Sequence, residues 1–158
     1  MQQRMFGQAM ASYWRFGAMV ATSTAVGFGA MYLNTYEADH VFFSQTRLFM
    51  SLIMGGLMAC VMMLFMWHMY PSRKANTWIV LLSTLLVVAG VGLVRSQVTV
   101  DDATYMKAMI PHHSIAILTS GRARIVDPRV RKLADGIIET QRREIGEMKR
   151  LIADLQQR

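Results

Sequence analysis

Three long apolar stretches constrain the fold of this chain more than any other feature of its sequence. The hydrocarbon core of a bilayer is about 30 Å thick, and about 20 residues of helix are needed to cross it, because unpaired backbone groups cannot be left in hydrocarbon. Residues 16–36, 48–70 and 75–95 meet this length, and charged residues lie at the ends of each stretch. The sequence therefore predicts a membrane domain, residues 1–97, with three transmembrane helices, of which the first is an uncleaved signal anchor.

Charge is distributed very unevenly along the chain. Of its 17 Lys and Arg residues 11 follow position 100, and so do 8 of its 10 Asp and Glu residues. Because both signs alternate at helical spacing, this region is interpreted as a solvated helix surface and not as a nucleic-acid site. Basic side chains beside membrane ends also meet anionic headgroups, which explains part of the net charge of +7. A lipid bilayer is the expected partner, and nucleic acid is not.

The charges of the loops predict an orientation. Two arginines precede the first stretch, and Arg73 and Lys74 join the second to the third, whereas the first loop contains Glu37 and Asp39. Positive residues are enriched on the cytoplasmic side of membrane proteins. We therefore expect a cytoplasmic N-terminus and, after three spans, a C-terminal domain on the outer side. In a bacterial inner membrane this domain is periplasmic.

Residues 98–158 are predicted to form an antiparallel helical hairpin, so that the whole chain is all-α. Asp127 precedes Pro128 as an N-cap precedes a proline at the first helical position, and Asp101 or Asp102 can cap an earlier helix that ends near Arg124. Pro111 should kink or restart that earlier helix. An apolar stripe marks the second helix: Ala134, Ile137, Ile138, Ile145, Met148, Leu151, Ile152 and Leu155.

Two helices of this length bury too little apolar surface to be stable alone. The stripe therefore needs a partner outside the hairpin. A second copy of the chain could complete a four-helix bundle as a homodimer, or the membrane spans could serve as a platform.

One face of the first hairpin helix collects potential metal ligands. At 100° per residue, Asp102, Met106, Met109 and His113 fall within about 60° of one another, and His112 lies beside them. Thioether sulfur and imidazole nitrogen together suit Cu(I), while Cu(II) prefers histidines and carboxylates. The alternative is that the methionines are flexible core fillers and the histidines are exposed or hydrogen-bonded.

Two polar residues interrupt the stripe of the second helix. Gln141 and Glu144 stand among apolar neighbours, and buried polar groups need partners. They could hydrogen-bond the imidazoles of the facing helix, or Glu144 could itself be a ligand. Alternatively, both lie at an edge that reaches solvent. Asp102, Gln141 and Glu144 are therefore possible accessory residues of a metal site.

A combination of motifs in the hairpin has a specific resemblance. The chain reads Met106-Lys-Ala-Met-Ile-Pro-His-His113 and, about thirty residues later, Gln141-Arg-Arg-Glu-Ile-Gly-Glu-Met148. This resembles the C-terminal half of the domain of unknown function 305 family, which is similar to ferritin-like helical proteins and includes periplasmic copper-binding members. The resemblance implies a copper ion as the bound species, with five candidate ligands: Met106, Met109, His112, His113 and Met148.

The sequence also departs from this family. Where members often have Ala-Ile-Asp-Met after the histidine pair, this chain has Ala116-Ile-Leu-Thr119. A carboxylate and a methionine that such members offer are therefore absent.

Methionine and histidine also occur outside the hairpin. Five methionines of the second stretch, from Met50 to Met66, recur every four residues, and this row is expected to serve lipid contact and helix packing, with a copper relay as the alternative. His40 could be an accessory ligand, although a solvated loop is the expectation.

The leading hypothesis is a membrane-anchored copper-binding protein that sequesters the metal or hands it to a partner, without catalysing a reaction. The alternative is a membrane assembly or protein-interaction module without bound metal. A ferritin-like di-iron oxidase is disfavoured, because the chain has no Glu-x-x-His motif. No Ser or Cys nucleophile stands at a recognisable elbow, so the chain is not expected to be an enzyme.

Overall fold

The computed structural model describes the backbone of residues 2–157 and the side chains of residues 11–157. Within these residues the chain is helical and contains no strand, which confirms the all-α prediction. Short 3-10 turns lie at Ala38–His40 and Trp67–Met69. The five α-helices are α1 (Gln2–Ala30), α2 (Gln45–Phe65), α3 (Arg73–Ser96), α4 (Asp102–Arg122) and α5 (Pro128–Gln156).

Two of the described helices are long and apolar enough to cross a membrane, by length and composition: α2 and α3. The prediction of three such helices is therefore wrong for the first. Helix α1 ends at Ala30, so the last six residues of the predicted 16–36 span lie outside it. The helix also contains Arg15 and a Thr-Ser-Thr run, which lower its hydropathy. The second predicted span, 48–70, is shorter than expected, since α2 ends at Phe65.

The chain divides into two compact units. The first unit comprises residues 1–30 and 47–98, and the second comprises residues 31–46 and 99–158. The second unit thus contains the predicted hairpin together with the loop between α1 and α2. Each unit has its own small core of buried apolar side chains.

A buried amide connects elements of the first unit. Asn76 near the start of α3 is fully buried, and its side-chain nitrogen donates to the Trp67 carbonyl at 3.0 Å. Its Oδ1 accepts a hydrogen bond from the Tyr13 hydroxyl at 2.7 Å. Beside them, Phe16 packs with Met63. Because a buried amide needs these partners, the start of α3 is tied to α1 and to the turn after α2.

Two glycines let helices of the first unit approach closely. A Cβ atom added to Gly90 of α3 would lie 2.7 Å from Ile53 of α2, and one added to Gly56 would lie 2.9 Å from Val87. Larger residues would push α2 and α3 apart. The methionine row of α2 contributes to both packing and surface, since Met54 is exposed while Met62 packs against the core of this unit.

Aspartate caps begin both helices of the second unit. The Asp101 carboxylate accepts a hydrogen bond from the Thr104 backbone N–H at 2.7 Å, and that of Asp127 accepts one from Arg129 N–H at 2.8 Å. Pro128 occupies the first turn of α5, as its missing N–H allows. These caps confirm the predicted helix starts. Helix α4 runs through Pro111 without a break, so the predicted restart does not occur.

Helices α4 and α5 pack against each other in opposite directions. The Arg131 guanidinium, near the start of α5, donates to the Ser120 carbonyl near the end of α4 at 3.0 Å. At the other end of the pair, Asp102 and Leu155 line the same cleft. The short connection at residues 123–127 allows this antiparallel arrangement.

The loop before α2 completes the core of the second unit. That core consists of Met106, Ile110, Ile117, Ile145 and Ile152, and Phe42 packs against it from the loop. The apolar stripe was expected to need a partner outside the hairpin, and residues 31–46 supply part of it within the same chain. Other apolar side chains of α5 stay exposed, among them Leu133, Leu151 and Leu155.

Candidate metal site

Most of the potential ligands line one open cleft between α4 and α5. The cleft has a volume of about 610 Å³. Residues three and four apart on a helix share a face, so each helix presents one row of side chains to it. Helix α4 contributes Asp102, Tyr105, Met106, Met109 and His113, and α5 contributes Glu144, Glu147, Met148, Leu151 and Leu155.

The imidazole of His113 is held at both nitrogens. Its Nδ1 lies 2.9 Å from the Met109 carbonyl oxygen, and its Nε2 lies 2.8 Å from Glu144 Oε2. A carbonyl oxygen only accepts, so Nδ1 carries a proton and donates it. The separation between Nε2 and the carboxylate oxygen is that of a hydrogen bond, and a cation bound by both atoms would take the place of the proton that they share. A backbone acceptor on Nδ1 is the arrangement that fixes Nε2 as a metal ligand.

Three methionines line the same cleft as this pair. Met106 is buried, while Met109 and Met148 are half-buried at the wall of the cleft. Along its length the cleft therefore offers three sulfurs, one imidazole nitrogen and the carboxylates of Asp102 and Glu144 as donors. Soft thioethers with imidazole suit Cu(I), and imidazole with carboxylate suits Cu(II). The residues present thus fit a copper ion by donor chemistry.

Two of the predicted site residues do not line this cleft. His112 is exposed, and its ring centroid lies 6.2 Å from that of His113 with the planes at 70°. Consecutive residues on a helix are about 100° apart, which directs the two imidazoles to different faces. Gln141 lines a separate groove with Arg129 and Lys132. It is therefore not a partner of the His113 imidazole, as the sequence had suggested it could be.

Two residues of the cleft, Tyr105 and Glu147, were not among the predicted site residues. Glu147 follows Glu144 by three residues on α5, a spacing that places both on one side of the helix. This spacing was a signal that could have revealed it. Tyr105 directly precedes Met106, and nothing in its sequence position distinguishes it from a solvated surface residue.

One residue of the loop before α2, His40, is placed differently from the prediction. His40 was expected in a solvated loop, yet it is buried, with 5% of its surface exposed. Its Nδ1 lies 3.0 Å from Ser114 Oγ, which also accepts the Tyr36 backbone N–H at 2.8 Å. The burial follows from the packing of residues 31–46 onto α4, which the sequence pattern did not predict.

Comparisons with known proteins find similarity to the helices that form the cleft. Residues 102–158 match the model of a family described as "Domain of unknown function (DUF305)". A relative, "Uncharacterized protein L153" of Acanthamoeba polyphaga mimivirus, is 32% identical over 142 residues, which cover 85% of this chain and 91% of that protein. This chain belongs to the DUF305 family. The similarity to the viral protein is not confined to residues 102–158. It extends into the apolar N-terminal part of this chain. No solved structure matches the chain significantly.

Proposed function

We propose that this DUF305 protein is a membrane-anchored copper-binding protein that sequesters the ion or hands it to another protein, and that it catalyses no reaction. The observation that carries the proposal is the cleft in which His113 and Glu144 stand among three methionines. Copper is the cargo here, and the ligands would be Met106, Met109, Met148 and His113, with Glu144 and Asp102 as accessory groups.

The openness of the site favours exchange of the ion over permanent storage. Glu144 keeps 40% of its side chain exposed, and Glu147 is also exposed at the edge of the cleft. Carboxylates at a mouth raise the local concentration of cations. A donor or acceptor protein can reach the half-buried sulfurs of Met109 and Met148 from the same side. Such access is what a handover by ligand exchange requires.

The division of the chain supports a membrane topology. The loop 31–46 and the tail 99–158 belong to one compact unit, and the chain between them contains α2 and α3. Two crossings return a chain to the side from which it started, so a membrane crossed by α2 and α3 leaves both parts of the second unit in the same solvent.

The loop charges then orient the protein. Arg73 and Lys74 between α2 and α3 favour the cytoplasmic side for that turn. The second unit and its cleft accordingly face the outer side of the membrane. In a Gram-negative bacterium this side is the periplasm.

A second candidate function is a membrane assembly or interaction module without metal. The exposed apolar side chains of α5 favour it, since Leu133, Leu151 and Leu155 have 65%, 45% and 39% of their surface exposed. A second copy of the chain packing on this surface would give the homodimer that the apolar stripe suggested. Dimerisation does not exclude copper binding. Each of the two can be tested independently of the other.

The test is copper binding by the full-length protein in detergent, because residues 31–46 are part of the second unit and an isolated tail lacks them. Cu(I) affinity is measured by competition with a chromophoric chelator for the wild type, His113→Gln and His112→Gln. The neighbouring histidine is the matched control, because it lies on another face of α4. We expect His113→Gln to weaken binding by about tenfold or more and His112→Gln to leave it unchanged.

Two results would contradict the proposal. If the wild type binds no stoichiometric copper, the interaction module is the better function. If both histidine variants bind like the wild type, the ion lies elsewhere in the protein.

A further inference from the structure

A second group of metal-ligating side chains lies outside the cleft, on the loop before α2. Glu37, Asp39 and His40 each offer one ligand atom, and these atoms all lie within 4.8 Å of one another. They belong to the 3-10 turn Ala38–His40 and the residue before it. The whole group lies inside the second unit.

The imidazole of His40 is buried and directed at the two carboxylates. Only 7% of its side chain is exposed, and Nδ1 is engaged by Ser114 Oγ at 3.0 Å. The other nitrogen, Nε2, lies 3.7 Å from Glu37 Oε2 and 3.7 Å from Asp39 Oδ1. Both distances are too long for hydrogen bonds. Nε2 thus faces two negative oxygens at equal distance without hydrogen-bonding either.

These separations are close to those of ligands on one ion. For metal–ligand distances of about 2.1 Å and tetrahedral angles, ligand atoms lie roughly 3.4 Å apart. The distance from Nε2 to each carboxylate oxygen exceeds this by a few tenths of an ångström. Glu37 and Asp39 have exposed side chains, at 52% and 66%, and rotamer changes can close the gap without moving the buried imidazole.

We propose that Glu37, Asp39 and His40 form a second cation site, for a borderline divalent ion of the Zn²⁺ class. One imidazole nitrogen and two carboxylate oxygens are a Zn²⁺ donor set, and three protein ligands leave a position for water. The absence of sulfur distinguishes this site from the methionine-lined cleft, which favours a softer ion. The two sites are therefore selective for different metals.

The ammonium group of Lys149 competes with this ion for the Asp39 carboxylate. Its ammonium lies 2.5 Å from Asp39 Oδ2, whereas Oδ1 is the oxygen that faces His40. Lys149 and Ser114 directly follow Met148 and His113 in the sequence. The loop site thus contacts Ser114 of α4 and Lys149 of α5. These residues are sequence neighbours of two candidate ligands of the cleft, but they lie on other faces of the same helices.

The experiment measures Zn²⁺ affinity of the full-length protein in detergent by competition with a chromophoric chelator. All variants carry His113→Gln, so that binding in the cleft is weakened equally in each of them. Glu37→Gln is the principal variant, because its exposed side chain has no role in the buried His40–Ser114 contact. His40→Gln is the second, and Glu139→Gln, an exposed carboxylate of α5 outside both sites, is the matched control.

We expect Glu37→Gln and His40→Gln each to weaken Zn²⁺ binding by about tenfold or more, and Glu139→Gln to leave it unchanged. Lys149→Met should bind Zn²⁺ about twofold more tightly, because an exposed ion pair of about 0.5 kcal/mol no longer opposes it.

Equal affinities for Glu37→Gln and Glu139→Gln, or no Zn²⁺ bound in the His113→Gln background, would overturn the site. Weaker binding by Lys149→Met would overturn the competitor role. Since copper binding by wild-type protein is measured separately, failure of one site is distinguishable from failure of the other.

Discussion

His113 and Glu144 meet across the two antiparallel helices of the second unit, with Nε2 of the histidine 2.8 Å from a carboxylate oxygen of the glutamate. Thirty-one residues separate them in the chain. Nδ1 of the same ring lies 2.9 Å from the Met109 carbonyl oxygen, so both nitrogens of the imidazole are held. The proposed copper site depends most directly on this pair.

Two variants of the cleft should separate the two oxidation states of copper. Glu144→Gln removes a carboxylate and should weaken Cu(II) binding by about tenfold while changing Cu(I) affinity much less, because Cu(I) depends on sulfur. Met148→Leu should do the reverse. The measurement is a titration of the full-length protein with each ion. Parallel losses for both ions in both variants would contradict the assignment of roles.

The topology can be tested with single cysteines in a protein whose native Cys60 is replaced by Ala. Val41→Cys in the loop and Gln157→Cys after α5 should react with a membrane-impermeant maleimide from the same side, since both belong to the second unit. Arg73→Cys, in the turn between α2 and α3, should react from the opposite side. All three positions are exposed. Labelling of Val41→Cys and Gln157→Cys from different sides would exclude crossing by both α2 and α3.

The contribution of the loop to stability can be tested with neighbouring phenylalanines. Phe42 packs against the hairpin core, whereas Phe43 has 58% of its surface exposed. We expect Phe42→Ala to lower the free energy of unfolding of the second unit by about 2 kcal/mol, less than a fully buried phenylalanine would. Phe43→Ala should cost much less. Thermal unfolding followed by circular dichroism measures both, and equal effects would show that the loop adds no core contact.

The ion pair between Asp39 and Lys149 should make stability depend on pH in a defined direction. The hydrogen bond from Lys149 lowers the pKa of the Asp39 carboxyl below 3.8. A lowered pKa in the folded state stabilises the fold above the unfolded value, and this contribution is lost as the pH falls through the folded pKa. For so exposed a pair the contribution is about 0.5 kcal/mol.

Lys149→Met should therefore be slightly less stable than the wild type at pH 6, and the difference should shrink as the pH falls below about 3.8 and disappear below the lowered pKa of the folded state. Lys132→Met, an exposed lysine of the same helix, serves as the control. A difference that persists unchanged at low pH would show that the Lys149 stem stabilises by packing and not through its charge.

Local signals in the sequence were sufficient for much of this architecture. The caps Asp101 and Asp127 begin α4 and α5 where the sequence predicted, because a capping side chain bonds its own helix. The common face of Asp102, Met106, Met109 and His113 also followed from helical geometry alone. The first membrane span was misjudged, since hydropathy did not indicate that the chain after Ala30 leaves the helix.

The sequence by itself determined the helices, their caps and the row of candidate ligands that each hairpin helix presents, because these depend on residues at most four positions apart. Only the tertiary structure decided that Glu144, and not Gln141, meets His113, and that residues 31–46 join the hairpin and bury His40. Such contacts depend on the register between helices and on the packing of a distant loop. Those are set by the fit of many side chains together, which no local spacing in the sequence specifies.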